Sequence, residues 1–150
     1  MPRITREAEV SWEGSSARGR GAITAASSGA FAGLPYSEPS RIAASAPETS
    51  PEELVAAAHA GCYAMSLAAE LTRDRTPPER LEVRAVVVLD EVEGEGHRIV
   101  ESRLRVRARV PGSDDDAFQE AVRRADAGCP LSALIGAAAA ISVDATLEVT

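Results

Sequence analysis

The sequence predicts a single α+β domain spanning residues 1–150, and three observations carry that expectation. A run of small apolar residues after Ser50 has the signals of one extended helix. Two alternating segments joined around Gly94 and Gly96 read as an antiparallel ribbon. An acidic helix start at Asp114–Asp116 is followed by a last alternating segment. A chain of 150 residues can bury one modest hydrophobic core but not two independent ones.

The first fifty residues hold short alternations broken by glycine and proline. Glu7–Glu13 and Gly21–Ala26 are predicted strands flanking a turn region at Gly14–Arg20. Ser40–Ser45 is predicted as a third strand, after a loop holding Gly33, Pro35 and Pro39. The clearest helix follows. Thr49 or Ser50 can cap it, Pro51 suits the first turn, and Glu52 and Glu53 complement its positive end. The segment Glu52–Arg73 is about 30 Å long as a helix, so it is expected to be central and buried on more than one side. Thr76-Pro77-Pro78 ends it.

Leu81–Val92 places Leu81, Val83, Ala85, Val87 and Leu89 on one side, and Ile99–Val110 sets Leu104, Val106, Ala108 and Val110 against Arg103, Arg105, Arg107 and Arg109. This is an antiparallel ribbon with one solvated face. The arginine row is a salt-bridged surface or a nucleic-acid stripe. The net charge of -7 and the lack of interleaved aromatics favour the first, so no nucleic-acid partner is expected. A helix is predicted from Asp114–Asp116 to about Ala127, with Phe118, Ala121, Val122 and Ala125 on its apolar face. Gly128-Cys129-Pro130-Leu131-Ser132 breaks it, and Ile141–Val149 is the closing strand.

Aromatic side chains are few (Trp12, Phe31, Tyr36, Tyr63 and Phe118), and the apolar residues are mostly Ala, Val and Leu. Small side chains each bury little area, which hints at an additional partner surface. The N-terminal segment is polar and mixed rather than signal-like. The apolar windows Leu54–Leu71 and Leu134–Ile141 are interrupted or too short to span a bilayer, so a cytoplasmic location without membrane association is expected. In a reducing compartment, two cysteines are buried thiols, metal ligands or a redox pair rather than a structural staple.

Cys62 lies inside the long helix, within His59-Ala60-Gly61-Cys62-Tyr63, and Cys129 follows a helix-breaking glycine. With His59 and His97 the inventory reaches four possible ligands, but the spacing matches no compact zinc pattern and no metal is expected. A redox pair needs a positive charge to favour a thiolate, a carboxylate to hold that charge, and a second thiol within reach. Among sixteen arginines, residue types alone do not choose.

The segments Trp12-Glu13-Gly14 with Arg18-Gly19-Arg20-Gly21, Ser50-Pro51-Glu52-Glu53-Leu54 leading to Ala57-Ala58-His59-Ala60-Gly61-Cys62, and Ala127-Gly128-Cys129-Pro130-Leu131-Ser132 closely resemble the osmotically inducible protein C family. That family includes the organic hydroperoxide resistance proteins, and the Ala-Ala-His-Ala-Gly-Cys wording is closer to the osmotically inducible branch. The resemblance implies an OsmC-like fold, with antiparallel sheets packed around a long central helix in an intertwined homodimer. It implies a thiol-dependent peroxidase acting on organic hydroperoxides, and more weakly on hydrogen peroxide. Cys62 matches the peroxidatic cysteine, Cys129 the resolving cysteine, Arg18 the arginine that steadies the thiolate, and Glu52 the carboxylate that anchors it. Glu53 and Arg20 are the neighbouring competitors. The family's reductant is a dithiol, such as a lipoyl-bearing protein, and its chemistry requires no metal, flavin or haem.

Glu52 and Cys62 lie ten residues apart, about 15 Å along a straight helix and about 280° around it. One pocket holding both therefore needs Arg18 as a bridge or a glutamate from a partner subunit; the second is the expectation. Met65 and Phe31 are core residues or the receptors of an organic tail. His59, three residues before Cys62, either influences that thiol or is only packed and hydrogen-bonded. The competing functional class is a non-enzymatic dimer binding a small molecule or lipid, with both cysteines inert.

Overall fold

A computed structural model describes residues 2–149. The chain divides into two compact units, the first ending at Leu54 and the second beginning at Val55.

In the first unit, β1 (Glu9–Glu13), β2 (Arg20–Thr24) and β3 (Leu34–Tyr36) form an antiparallel sheet in that order. Gly14, at φ +93°, turns the chain after β1, and Trp12 donates its indole N–H to the Gly14 carbonyl at 2.9 Å. Gly21 stands in register between Trp12 and Tyr36. A Cβ at Gly21 would overlap the Tyr36 ring, so its absence leaves room for the two rings to lie 5.6 Å apart.

The third strand is not where the sequence pattern put it. It is Leu34–Tyr36, with Pro35 tolerated on an edge strand. The first half of the predicted strand at Ser40–Ser45 belongs to helix α1 (Glu38–Ile42), and the rest is not strand. Ser37 caps α1 by accepting from the Ser40 N–H, and Glu38 and Pro39 suit its first turn. Local capping chemistry thus overrides a short polar–apolar alternation.

The helix α2 (Pro51–Arg73) opens at the end of the first unit and continues through the second. After it come β4 (Arg80–Val92), β5 (Gly96–Arg109), α3 (Asp115–Gly128), α4 (Pro130–Gly136) and β6 (Ala140–Leu147). Gly94 and Gly96 supply the positive φ of the hairpin between β4 and β5, and one bulge interrupts their register at Val88/Leu89. Asp114 caps α3 by accepting from the Ala117 N–H at 2.8 Å.

This second sheet has the order β4-β5-β6 and is mixed rather than antiparallel throughout, because β6 runs parallel to β5. The connection between them contains α3 and α4, and only such a crossover can return the chain to start a parallel neighbour.

The core of this unit forms where three apolar stripes meet. Ser102, Leu104, Val106 and Ala108 supply the buried face of β5. Phe118, Ala121, Val122 and Ala125 supply that of α3, and Tyr63, Leu67 and Leu71 that of α2. Arg124 fastens α3 to α2 by pairing with Glu70 at 2.9 Å and with Asp74. The arginine row on β5 carries carboxylate partners: Arg103 meets Glu101, Arg107 meets Glu82 and Glu148, and Arg109 meets Glu79 and Glu148. That is a salt-bridged outer face.

Within one chain the helix α2 buries a single stripe. His59, Tyr63, Leu67 and Leu71 form its one buried stripe, and Met65 is 77% exposed. By length and mean hydropathy (1.3 over its most apolar window) α2 could cross a membrane, which the sequence reading did not expect. Its buried stripe nevertheless includes His59 and Tyr63, both hydrogen-bonded to groups of the second unit. That is the behaviour of a core helix.

Candidate active site

The two cysteines come together although 67 residues separate them. Cys62 lies half-buried on α2 against the core, and Cys129, 1% exposed, links α3 to α4. Both are free thiols, and they lie close enough that each shifts the other's ionisation. Cys129 is also the cap of α4, its sulfur accepting the Ser132 N–H at 3.5 Å.

The two sulfurs feel different surroundings. Burial pushes the Cys62 thiol up; the Leu131 N–H opposes that, and the adjacent Cys129 reinforces it. Burial also works against ionising Cys129. There the backbone and hydroxyl of Ser132, the Cys62 thiol and the Leu131 N–H together outweigh it and hold Cys129 below the usual thiol range. These surroundings favour ionisation of Cys129 and oppose that of Cys62.

His59 is completely buried, and both its ring nitrogens are engaged: Nδ1 with Ser102 Oγ at 2.6 Å and Nε2 with Ser132 Oγ at 2.8 Å. Burial lowers its pKa from 6.5, while the Asp126 carboxylate pulls the other way. An unfolded chain accepts a proton on this imidazole before the folded chain does. Stability present above about pH 6.5 is therefore lost progressively as the pH falls below that value. Denaturant midpoints measured on either side of it should fall on acidification, and the slope should flatten in His59→Gln.

The remaining predicted residues belong to the first unit. Glu52 is held, but not by Arg18. Its carboxylate takes a forked interaction from Arg41, whose Nε donates to Oε1 and Oε2 at 3.0 Å each and whose Nη2 also donates to Oε1. Arg18 lies exposed in the turn between β1 and β2, where its backbone N–H donates to Ser15 Oγ at 3.2 Å. It makes no ion pair among the described residues. The two competitors are also accounted for: Glu53 accepts from Thr49 Oγ1 at 2.9 Å, and Arg20 pairs with Glu48 at 3.5 Å. The polar–apolar alternation of Ser40–Ser45 hides Arg41 as the partner of Glu52. The Ser37-Glu38-Pro39-Ser40 run, a cap followed by an acidic first turn, was the available signal. Phe31 is half-buried in the first unit, and His97 lies exposed on β5.

Residues 44–144 match the family model described as OsmC-like protein. Peroxiredoxin OsmC of Escherichia coli (strain K12) is 34% identical over 134 residues, covering 89% of this chain and 92% of that protein. The chain belongs to the OsmC-like family. Its likeness to the peroxiredoxins named OsmC agrees with the branch that the His59–Cys62 wording indicated. Among solved structures, an organic hydroperoxide resistance protein from Elizabethkingia anophelis superimposes with a TM-score of 0.75 at 18% identity, covering 98% of this chain and 99% of that one. OhrB of Bacillus subtilis gives 0.70 at 23% identity, with 93% and 98% covered. At those identities the structures establish the OsmC-like fold.

Proposed function

We propose that the chain is a thiol-dependent peroxidase that reduces organic hydroperoxides, with Cys62 as nucleophile and Cys129 as the resolving thiol. The observation that carries this reading is the closeness of the two free thiols, with the Ser132 N–H donating to the Cys129 sulfur. The E. coli relative's name, a peroxiredoxin, supports the same chemistry.

Exposure supports the division of labour. Cys129 is sealed from a bulky substrate, while Cys62 is only half-buried. Proton transfer from Cys62 to the Cys129 thiolate creates the reactive sulfur at the accessible position. The Cys62 thiolate attacks the terminal peroxide oxygen, the O–O bond breaks, and the alkoxide leaves and takes up a proton. Cys62 is then a sulfenic acid. As Cys129 loses its proton and attacks the Cys62 sulfur, a disulfide forms, the S–O bond breaks and water departs. An external dithiol, such as a lipoyl-bearing protein, returns both sulfurs to thiols. Reduced thiols of this kind suit a cytoplasmic setting.

Two guanidiniums are candidates for steadying the developing charge: Arg18, which the motif resemblance assigns, and Arg41, which Glu52 holds in a fork. A homodimer completes the proposal: α2 buries one stripe and leaves Met65 and its neighbouring small residues for a second copy.

The test is to add cumene hydroperoxide to reduced protein and follow thiol loss and mass. One intramolecular Cys62–Cys129 disulfide should form, faster than with hydrogen peroxide. Unchanged thiol content would end the peroxidase reading and favour an inert binding dimer. Arg18→Ala and Arg41→Ala choose between the two guanidiniums: loss of the one that steadies the charge should slow Cys62 oxidation about 10²-fold, as loss of one charge-stabilising donor does elsewhere, and loss of the other far less.

A further inference from the structure

Ser102 Oγ, the His59 ring and Ser132 Oγ form a buried run of hydrogen bonds in the second unit, and the backbone N–H of Ser132 donates to the sulfur of Cys129, which adjoins Cys62. Ser102, His59, Ser132 and Cys129 are each at most 6% exposed. A histidine engaged at both nitrogens in such a place is expensive to keep buried unless its contacts are useful. The peroxidase steps described above use neither His59 nor Ser102.

A neutral imidazole has one N–H to give and one bare nitrogen, and burial keeps the ring neutral. Each ring nitrogen meets one serine hydroxyl, so in either tautomer the ring ties Ser132 of α4 to Ser102 of β5. That tie holds the first turn of α4, whose Ser132 N–H donates to the Cys129 sulfur.

We propose that His59 is a positioning residue for the resolving thiol: its ring fixes Ser132, whose backbone N–H donates to the Cys129 sulfur, and so readies that sulfur to capture oxidised Cys62. This deepens the peroxidase reading and rests on it for its functional consequence. The place three residues before Cys62 is incidental; the ring works on the other cysteine. Ser102 acts at the far end, by holding the other ring nitrogen. Titratable neighbours are few. Cys62 and Tyr63 approach from α2, the Asp126 carboxylate of α3 acts on both His59 and Tyr63, and β5 contributes only the neutral Ser102.

The decisive measurement uses Cys62→Ser protein, in which Cys129 is the one thiol left, and follows thiolate absorbance against pH. Adding His59→Leu or Ser132→Ala should move the Cys129 titration upward by about one pH unit, roughly tenfold less thiolate near neutrality. His59→Gln, whose amide N–H can still donate to Ser132, should recover most of the loss. In protein with both cysteines, His59→Leu should slow disulfide closure about tenfold while oxidation of Cys62 keeps its rate. Should His59→Leu not fold, Ser132→Ala carries the same titration test. A Cys129 titration unmoved in a folded His59→Leu or Ser132→Ala variant would overturn the proposal, as would failure of His59→Gln to restore what His59→Leu loses. Because the titration needs no peroxide, it reads the tie even if the protein proves to be no peroxidase.

Discussion

Cys62→Ser should abolish hydroperoxide turnover, lowering it by at least about 10³-fold, because a serine hydroxyl at this position has no base able to ionise it. Cys129→Ser should fail in a different way. The first oxidation still proceeds, but the sulfenic acid at Cys62 has no thiol to condense with and climbs to the sulfinic and sulfonic acids with each excess of oxidant. A single turnover followed by mass gains of two and three oxygens is the expected signature. The two variants also separate assignment from mere involvement. If the charge preference for Cys129 made that sulfur the nucleophile, Cys62→Ser would retain the first oxidation and Cys129→Ser would lose it. The depth of Cys129, 1% exposed, argues against that outcome.

The second large effect concerns stability. Phe118 is fully buried among Tyr63, Leu67, Leu104 and Val106, in a unit with few aromatic side chains. Phe118→Ala should cost about 3–5 kcal/mol, since neighbouring elements cannot collapse fully around the lost ring. Val10→Ala, at a side chain 57% exposed on β1, should stay within about 0.5 kcal/mol. Chemical denaturation monitored by far-ultraviolet circular dichroism compares the two. Equal effects would mean that the core identified around Phe118 is not what holds the second unit together.

How far the sequence could be read depended on whether a feature leaves a periodic mark. The β4–β5 ribbon was legible within a few residues, because arginines and aliphatics alternate on its second strand and two glycines punctuate the turn. The helix α2 was legible for the same kind of reason, with cap, proline and acids at its start. The direction of β6 was not. An alternating strand looks the same run either way, and only the helical crossover before it determines the parallel pairing. The site divides similarly. Residue type and motif picked out Cys62, Cys129 and Glu52. The partner of Glu52 was hidden, because ion pairing depends on where α1 places Arg41, and the alternation of Ser40–Ser45 hides α1. His59 was noticed, yet its alignment with Ser132 arises from three separate elements, α2, β5 and α4, which no local pattern connects.

The crossover has a further consequence during synthesis. Sheet residues of β5 emerge well before β6, with some thirty residues of α3 and α4 between them. Until those helices settle, one lateral margin of a fourteen-residue strand stands bare, a template for adventitious pairing between nascent chains. Its alternate positions hold Arg103, Arg105, Arg107 and Arg109, so two such strands brought side by side would repel. The same guanidinium file that later binds Glu82 and Glu148 thus guards the unfinished sheet against its own copies.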